Sequence, residues 1–306
     1  MLQSDLLANK VVLVTGAGGG VGRGIALLAA AYGAKVVVND LGGSASGEGA
    51  DVGPAQTVVN EIIAAGGEAA PSFRSIATWD GAHGIIQDVI DAFGQIDVVV
   101  NNAGILRDVI FHKMTQQDWD LVRSVNLDGY FYVSRAAASH FKAQNSGCYI
   151  HMTSTSGLIG NMGQANYSAA KLGVAGLSKS IALDMARFGV RSNCIAPFAF
   201  TRMVGTIPAN DEVNRKRLEV AKRMTPDKIA PLAIGLMCDG AKEVTGQIFG
   251  SRMNEQILFS QHRPVRTAQN ATGWTPELVV EKFLPAAKAH FSPLDKSSDV
   301  FTWDPY

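Results

Sequence analysis

Apolar residues along this chain alternate between short continuous runs and longer stretches with gaps of three and four. Val11–Thr15, Lys35–Asn39, Ile96–Val100, Tyr149–Thr153, Arg191–Ala196 and Gln247–Gly250 are the short runs, and they predict strands covered on both faces. Between them, Ile25–Tyr32, Val58 to Ile63, Ile85 to Phe93 and the stretches 117–143, 166–188 and 228–238 have helical spacing. Residues 42–54 are rich in Gly and Ser and end on Pro54, which predicts a loop, and Gly66-Gly67 stops the helix after it. Strand–helix alternation of this kind predicts crossover connections, a parallel sheet and helices on both of its faces.

No internal repeat or linker interrupts the pattern before about residue 250. The last fifty residues read differently. They are punctuated by proline, carry Trp274 and Trp303, and show one clear helix start at Thr275-Pro276-Glu277. The expected organisation is a domain over 1–250 and an extension over 251–306 that packs on the domain or on a neighbouring subunit.

Composition narrows the class. With 306 residues and 47% hydrophobic content the chain can bury a sizeable core, and 32 glycines suit many tight strand–helix turns. Formal net charge is zero, so no global field draws nucleic acid or an anionic membrane, and neither is expected as a partner. Cys148, Cys194 and Cys238 are widely spaced and odd in number, which argues against a disulfide framework or a zinc site. No metal is expected, and reduced thiols fit a cytoplasmic protein. Neither a signal peptide nor a run of the ~20 apolar residues that a membrane span needs is evident.

Thr15-Gly16-Ala17-Gly18-Gly19-Gly20-Val21-Gly22 joins the first strand to the first helix. Glycine there permits a tight turn and close backbone approach to a pyrophosphate, and the helix N-terminus offers free N–H groups. Such a cluster can also be a mere turn; its place between strand and helix favours the dinucleotide reading. Asp40 follows the second strand, eighteen residues after Gly22, where a carboxylate can accept from adenosine ribose hydroxyls and repel a 2′-phosphate. With uncharged Asn39 and Leu41 beside it, NAD is expected over NADP. Asn101-Asn102-Ala103-Gly104 ends the fourth strand at the same edge, where amides and small residues can line the crevice and brace its strands.

Tyr167 and Lys171 are four residues apart, one helical turn, so phenol and ammonium share a face. A phenol titrates near pH ~10, and an adjacent cation favours the phenolate. Ser154, thirteen residues before the tyrosine, can hold a substrate oxygen. The pair alone is a weak signal, since a surface helix with an incidental lysine gives the same spacing. Asn126 lies within a helical stretch, where asparagine is a poor fit. Its residue context leaves a local kink and a solvent-facing position equally open.

Taken in order, T-G-A-G-G-G-V-G, N-N-A-G, Asn126, Ser154 and Y-S-A-A-K resemble the short-chain dehydrogenase/reductase family over residues 9 to about 250. The resemblance implies one α/β, doubly wound Rossmann domain with a seven-stranded parallel sheet, followed here by an irregular C-terminal extension. It implies Tyr167 as general acid/base and Lys171 as the partner that lowers its pKa and holds the nicotinamide ribose. Ser154 would polarise the substrate oxygen, and Asn126 would kink its helix and hold a water in a proton relay. The cofactor contacts implied are Gly16, Gly20, Val21, Gly22, Asp40, Ile76, Asn102, Ala103, Gly104, Tyr167, Lys171, Pro197 and Thr201. Homodimers or homotetramers built on the helices at 117–143 and 166–188 are implied as well.

A narrower likeness lies in N-D-L-G-G at 39–43, N-N-A-G-I-L-R-D at 101–108 and G-N-M-G-Q-A-N-Y-S-A-A-K-L-G at 160–173. These are similar to the dehydrogenase part of the peroxisomal bifunctional D-specific hydroxyacyl-CoA proteins, and the chain would be a stand-alone, bacterial-type relative. Two positions depart from the family pattern. Ser75-Ile76 stand where an aspartate often meets the adenine, so a hydroxyl and a backbone group take that contact. Pro197-Phe198 stand for Pro-Gly, and Phe198 is expected to narrow the substrate side.

The function expected is NAD-linked oxidation of a secondary alcohol, with a (3R)-hydroxyacyl-CoA as the candidate substrate. Arg202, Arg215, Lys216, Arg217, Lys222 and Arg223 form either a solvated helix or an anion-binding lid for the phosphates of an acyl-CoA. A steroid, a cyclic alcohol or an acyl-carrier-protein thioester are alternative substrates. A non-catalytic dinucleotide-binding protein and a methyltransferase are the rival classes, and neither needs Ser154, Tyr167 and Lys171 together.

Overall fold

The structure, a computed structural model, describes residues 5–44, 46–49, 51–199, 219 and 222–305. Its sheet contains β1 (Val11–Thr15), β2 (Lys35–Asn39), β3 (Glu68–Ser72), β4 (Val98–Asn101), β5 (Gly147–Met152), β6 (Val190–Phe198), β7 (Ile248–Arg252) and β8 (Glu255–Leu258). The spatial order is β3-β2-β1-β4-β5-β6-β7-β8. The first seven strands are parallel, as expected, and β8 adds an antiparallel edge. A two-residue turn at Met253-Asn254, with Met253 at φ 53°, folds the chain back after β7. The sheet therefore runs past the boundary drawn at residue 250.

The helices are α1 (Gly20–Ala31), α2 (Gly53–Ala64), α3 (Trp79–Phe93), α4 (Gln116–Arg123), α5 (Gly129–Gln144), α6 (Thr155–Leu158), α7 (Ala165–Met185) and α8 (Ala230–Met237). Alternate residues of β1 point to opposite faces, so one run of aliphatic residues feeds two cores. Val12 and Val14 pack with Ile25, Val58, Ile62 and Ile234, beneath α1, α2 and α8. Val11 and Leu13 pack with Ile85, Val89, Val133, Phe141 and Val174, beneath α3, α5 and α7. The third strand has no β-branched residue and contains Pro71. It occupies the sheet edge, where a missing N–H costs no ladder bond.

The extension is tied down at both ends. Gln261 Nε2 donates to Gly246 O at 2.7 Å. Near the C-terminus the Ser297 N–H donates to Gly160 O at 3.0 Å, and Arg252 Nη2 donates to Trp303 O at 2.6 Å. Consecutive helical turns over 276–290 lie between these anchors.

Candidate active site

The chain crosses from the β3 edge to β4, on the far side of β1, so the strand order reverses between β1 and β4. A crevice outside the carboxyl ends of the strands opens at such a point. Here it is a cavity of about 500 Å³. The loop after β1 turns at Gly16, whose φ of +63° favours glycine and where an added Cβ would sit 2.6 Å from Ala103 Cα. Asn102 Nδ2 donates to Thr15 O at 2.9 Å and Gly16 O at 3.0 Å, and the Asn102 N–H donates to Thr15 Oγ1 at 3.0 Å. The two strand ends are thus braced together, and Gly19, Gly20 and Val21 present the start of α1 to the cavity. Asp40 accepts from the Gly18 N–H at 2.8 Å and the Gly42 N–H at 2.7 Å, which leaves its carboxylate further acceptor capacity toward the cavity.

Ser154, Tyr167 and Lys171 line the other end. Ser154 caps α6 by accepting from the Ser156 N–H at 3.1 Å, and Thr153 Oγ1 donates to Lys171 O at 2.6 Å, which fastens α7 to the end of β5. Lys171 is only 2% exposed. Its Nζ donates to Tyr130 Oη and to Met152 O, each at 2.9 Å, and lies 5.7 Å from the Tyr167 ring centroid. Burial pushes the Lys171 ammonium down to about 7. Burial also pushes the Tyr167 phenol up to about 12, a hydrogen bond with Ser154 works against that rise, and the Asp108 charge adds to it. Burial thus disfavours the charged form of both groups.

A family model for short chain dehydrogenases matches residues 10–212. The chain belongs to that family. It is an oxidoreductase that acts on a small-molecule substrate with a nicotinamide dinucleotide. A Mycobacterium tuberculosis protein named as a short-chain type dehydrogenase/reductase is 47% identical over 230 residues, covering 75% of this chain and 77% of that one. The peroxisomal multifunctional enzyme type 2 of Mus musculus is 44% identical over 241 residues, covering 79% of this chain but 31% of the mouse protein. A structure of 7α-hydroxysteroid dehydrogenase with NADH and 7-oxo glycochenodeoxycholic acid superposes with a TM-score of 0.74 at 28% identity, over 83% of this chain and 98% of that one.

The cavity of this short-chain dehydrogenase fits a dinucleotide. Gly16, Gly20, Val21, Asp40, Ile76, Asn102, Ala103, Gly104, Pro197, Ser154, Tyr167 and Lys171 all line it. Gly22 stands behind the wall instead: an added Cβ would meet Gly16 O at 2.4 Å and Asn102 Nδ2 at 2.5 Å, so it is a packing glycine. Asn126 is fully buried behind Gly104, which resolves the choice between kink and solvent in favour of the kink. It sits in a π-turn over Ser124–Asp128, and its Nδ2 donates to Ile105 O at 2.9 Å and Val122 O at 3.0 Å. Its Oδ1 is buried without a partner, 2.7 Å from where a Gly104 Cβ would be.

One expectation is corrected. Phe198 does not face the cavity; Pro197 and Ala199 do. Side chains alternate along β6, and Phe198 points the other way, onto Phe301 of the extension at 4.7 Å between ring centroids. Thr201 and the basic residues Arg202, Arg215, Lys216 and Arg217 lie outside the described residues. Of the rest of that stretch, Lys222 pairs with Glu219 at 2.9 Å.

Sequence reasoning missed a polar chain on the same wall. Asn161 Nδ2 donates to Ser156 Oγ at 2.9 Å, Ser156 Oγ to Gln164 Oε1 at 2.8 Å, and Gln164 Nε2 to Asp108 Oδ2 at 2.9 Å. Its signal was the cluster of small polar residues just before Tyr167. Arg74 also lines the cavity beyond Asp40, and its guanidinium is held by Asp88 at 3.0 Å.

Proposed function

We propose that this protein interconverts a secondary alcohol and a ketone with NAD, and that its alcohol is a (3R)-hydroxyacyl-CoA thioester. The observation that carries the reading is one cavity lined at one end by Asp40 and at the other by Ser154, Tyr167 and Lys171. NAD, when bound, would supply the hydride acceptor. Gly16, Gly20 and Val21 hold the diphosphate against the start of α1. Asp40 would take the adenosine ribose hydroxyls, and Ile76 would border the adenine. Asp40 would repel a 2′-phosphate, which favours NAD over NADP.

As a phenolate Tyr167 would take the hydroxyl proton of the alcohol, and as a phenol it would return that proton in the reverse direction. Ser154 Oγ holds the substrate oxygen beside the phenol. Lys171 holds the nicotinamide ribose and, as an ammonium, favours the phenolate. The unpartnered Asn126 Oδ1 is suited to hold a water that carries the proton onward.

The thioester reading rests on the motifs at 39–43, 101–108 and 160–173 and on the likeness to the mouse multifunctional enzyme. The polar chain of Asn161, Ser156 and Gln164 gives a second oxygen near the reacting carbon a place to hydrogen-bond. A steroid is the second reading, favoured by the hydroxysteroid dehydrogenase neighbour. Assembly as a homodimer or homotetramer is supported by apolar residues left exposed on α5 and α7, namely Phe131, Leu172 and Leu183. Free thiols at Cys148, Cys194 and Cys238 support a reducing compartment such as the cytoplasm.

The test is NADH formation from (3R)- and (3S)-hydroxyacyl-CoA thioesters, hydroxysteroids and cyclic alcohols. Preference for the (3R)-thioester is expected. Turnover of a steroid with no thioester oxidised would replace the substrate assignment.

A further inference from the structure

Lys171 is a buried cation with no buried carboxylate beside it among the described residues. The titratable groups that face it are Tyr167 from its own helix, Tyr130 from α5, His151 from β5 and Cys194 from β6. All four are neutral near pH 7: burial holds both thiol and phenols up and holds the imidazole down to about 3. The charge on Lys171 therefore depends on dipoles. Two are within hydrogen-bond reach, the Met152 carbonyl and the Tyr130 hydroxyl, each at 2.9 Å from Nζ.

We propose that Tyr130 is a positioning residue for the proposed reaction: its hydroxyl fixes the Lys171 ammonium and keeps it charged. The inference rests on the functional reading above and adds a residue to it. Tyr130 follows Asn126 by four residues, so the π-turn that directs Asn126 inward also sets Tyr130 under Lys171. Its side chain is fully buried, and its ring packs over His151 with centroids 6.3 Å apart and planes 27° apart. His151 Nδ1 meets Asn101 Nδ2 at 3.1 Å, and the same amide nitrogen donates to Ser134 Oγ at 2.9 Å. The phenol thus stands on an uncharged, hydrogen-bonded floor that spans β4, β5 and α5. Two fixed acceptors consume two of the three ammonium donors and leave the third for the cavity, where Tyr167 lies and a nicotinamide ribose would be held.

Deleting only the hydroxyl tests this. In Tyr130→Phe the ring remains, while the ammonium loses one charge-assisted hydrogen bond. Lysine labelled with carbon-13 at Cε reports the Lys171 titration directly, with Lys171→Met giving the assignment. The wild-type midpoint is expected near pH 7. The variant midpoint should fall by about one pH unit or more, the size expected from losing a hydrogen bond to a charged group. The alcohol oxidation rate kcat should fall at least ~5-fold at pH 7 with KM within ~3-fold, because an ammonium that no longer holds its charge acts on the chemical step. Tyr130→Leu provides a second hydroxyl-free variant should the phenylalanine variant not fold. An unchanged Lys171 midpoint in a folded variant overturns the inference. The titration needs no substrate, so it decides the role of Tyr130 even if no alcohol is turned over and the functional reading fails.

Discussion

The Gly18 N–H donates to Asp40 Oδ2 at 2.8 Å, which ties the loop after β1 to the carboxylate that follows β2. One side chain thereby shapes the glycine loop and, in the proposed reading, would accept from the adenosine ribose. Asp40→Asn keeps an acceptor but removes the charge. NADH affinity should fall ~10-fold, the scale of a hydrogen bond to a charged group, and discrimination against NADPH should narrow. Fluorescence titration with both reduced cofactors measures this; an unchanged preference contradicts the assignment of NAD selectivity to Asp40.

Asn126 holds two carbonyls from the interior of a π-turn. Asn126→Ala should cost about 1–3 kcal/mol of stability by leaving those carbonyls unpaired. It should also lower kcat at temperatures where the variant is fully folded, because the acceptor beside Gly104 is gone. Thermal melts and steady-state kinetics separate the two effects. A destabilised variant with full kcat would count against the relay.

His151 is fully buried, and burial with the Lys171 charge holds its imidazole down to about 3. The native state therefore stays neutral there while the unfolded chain takes up a proton below about pH 6.5. The associated stability is present in full above that pH and is lost as the pH falls from 6.5 toward 3, a loss on the order of 4 kcal/mol. Denaturant midpoints across this range should drop steeply in the wild type. His151→Phe, which can still stack on Tyr130 and Tyr149, should flatten that part of the curve. An equally steep curve in the variant would place the acid sensitivity elsewhere.

The terminal segment clasps Phe198 and Arg252 through Phe301 and Trp303, and Gly160 through Ser297. Both lips adjoin the cavity that Ser154, Tyr167 and Lys171 line, since Pro197, Ala199 and Asn161 line it too. Deleting residues 295–306 should lower Tm by ~2–5 °C, because the buried Arg252 guanidinium loses a carbonyl partner. Substrate KM should rise while NADH affinity stays within ~2-fold, given that the glycine loop and Asp40 are untouched. Unchanged KM would make the segment structural only.

Much of this fold was legible because buried parallel strands are written as β-branched runs, and β1 and β2 were read to the residue. The third strand escaped because an edge tolerates Glu-Ala-Ala-Pro-Ser, which carries no strand signature. The last strand escaped because its partner ends in a two-residue turn where a domain boundary had been drawn. In the site, residues joined by loop chemistry or one helical turn were readable, as with Asp40 and the Tyr167–Lys171 pair. Convergence from separate elements was not. Tyr130, His151 and the polar chain ending on Asp108 meet only in three dimensions, and Phe198 was misplaced because strand alternation depends on where β6 begins and how far it runs.

In the proposed reaction Tyr167 transfers the proton while the rest of the site binds cofactor and substrate. Tyr167→Phe removes one oxygen from the cavity wall and leaves the glycine loop, Asp40 and Lys171 in place. The measurement is kcat for alcohol oxidation alongside NADH affinity in the same preparation. The account predicts turnover reduced at least ~100-fold, the contribution of a positioned general base, with NADH affinity close to wild type. A phenylalanine variant that binds NADH and oxidises the alcohol at near wild-type rate would contradict it.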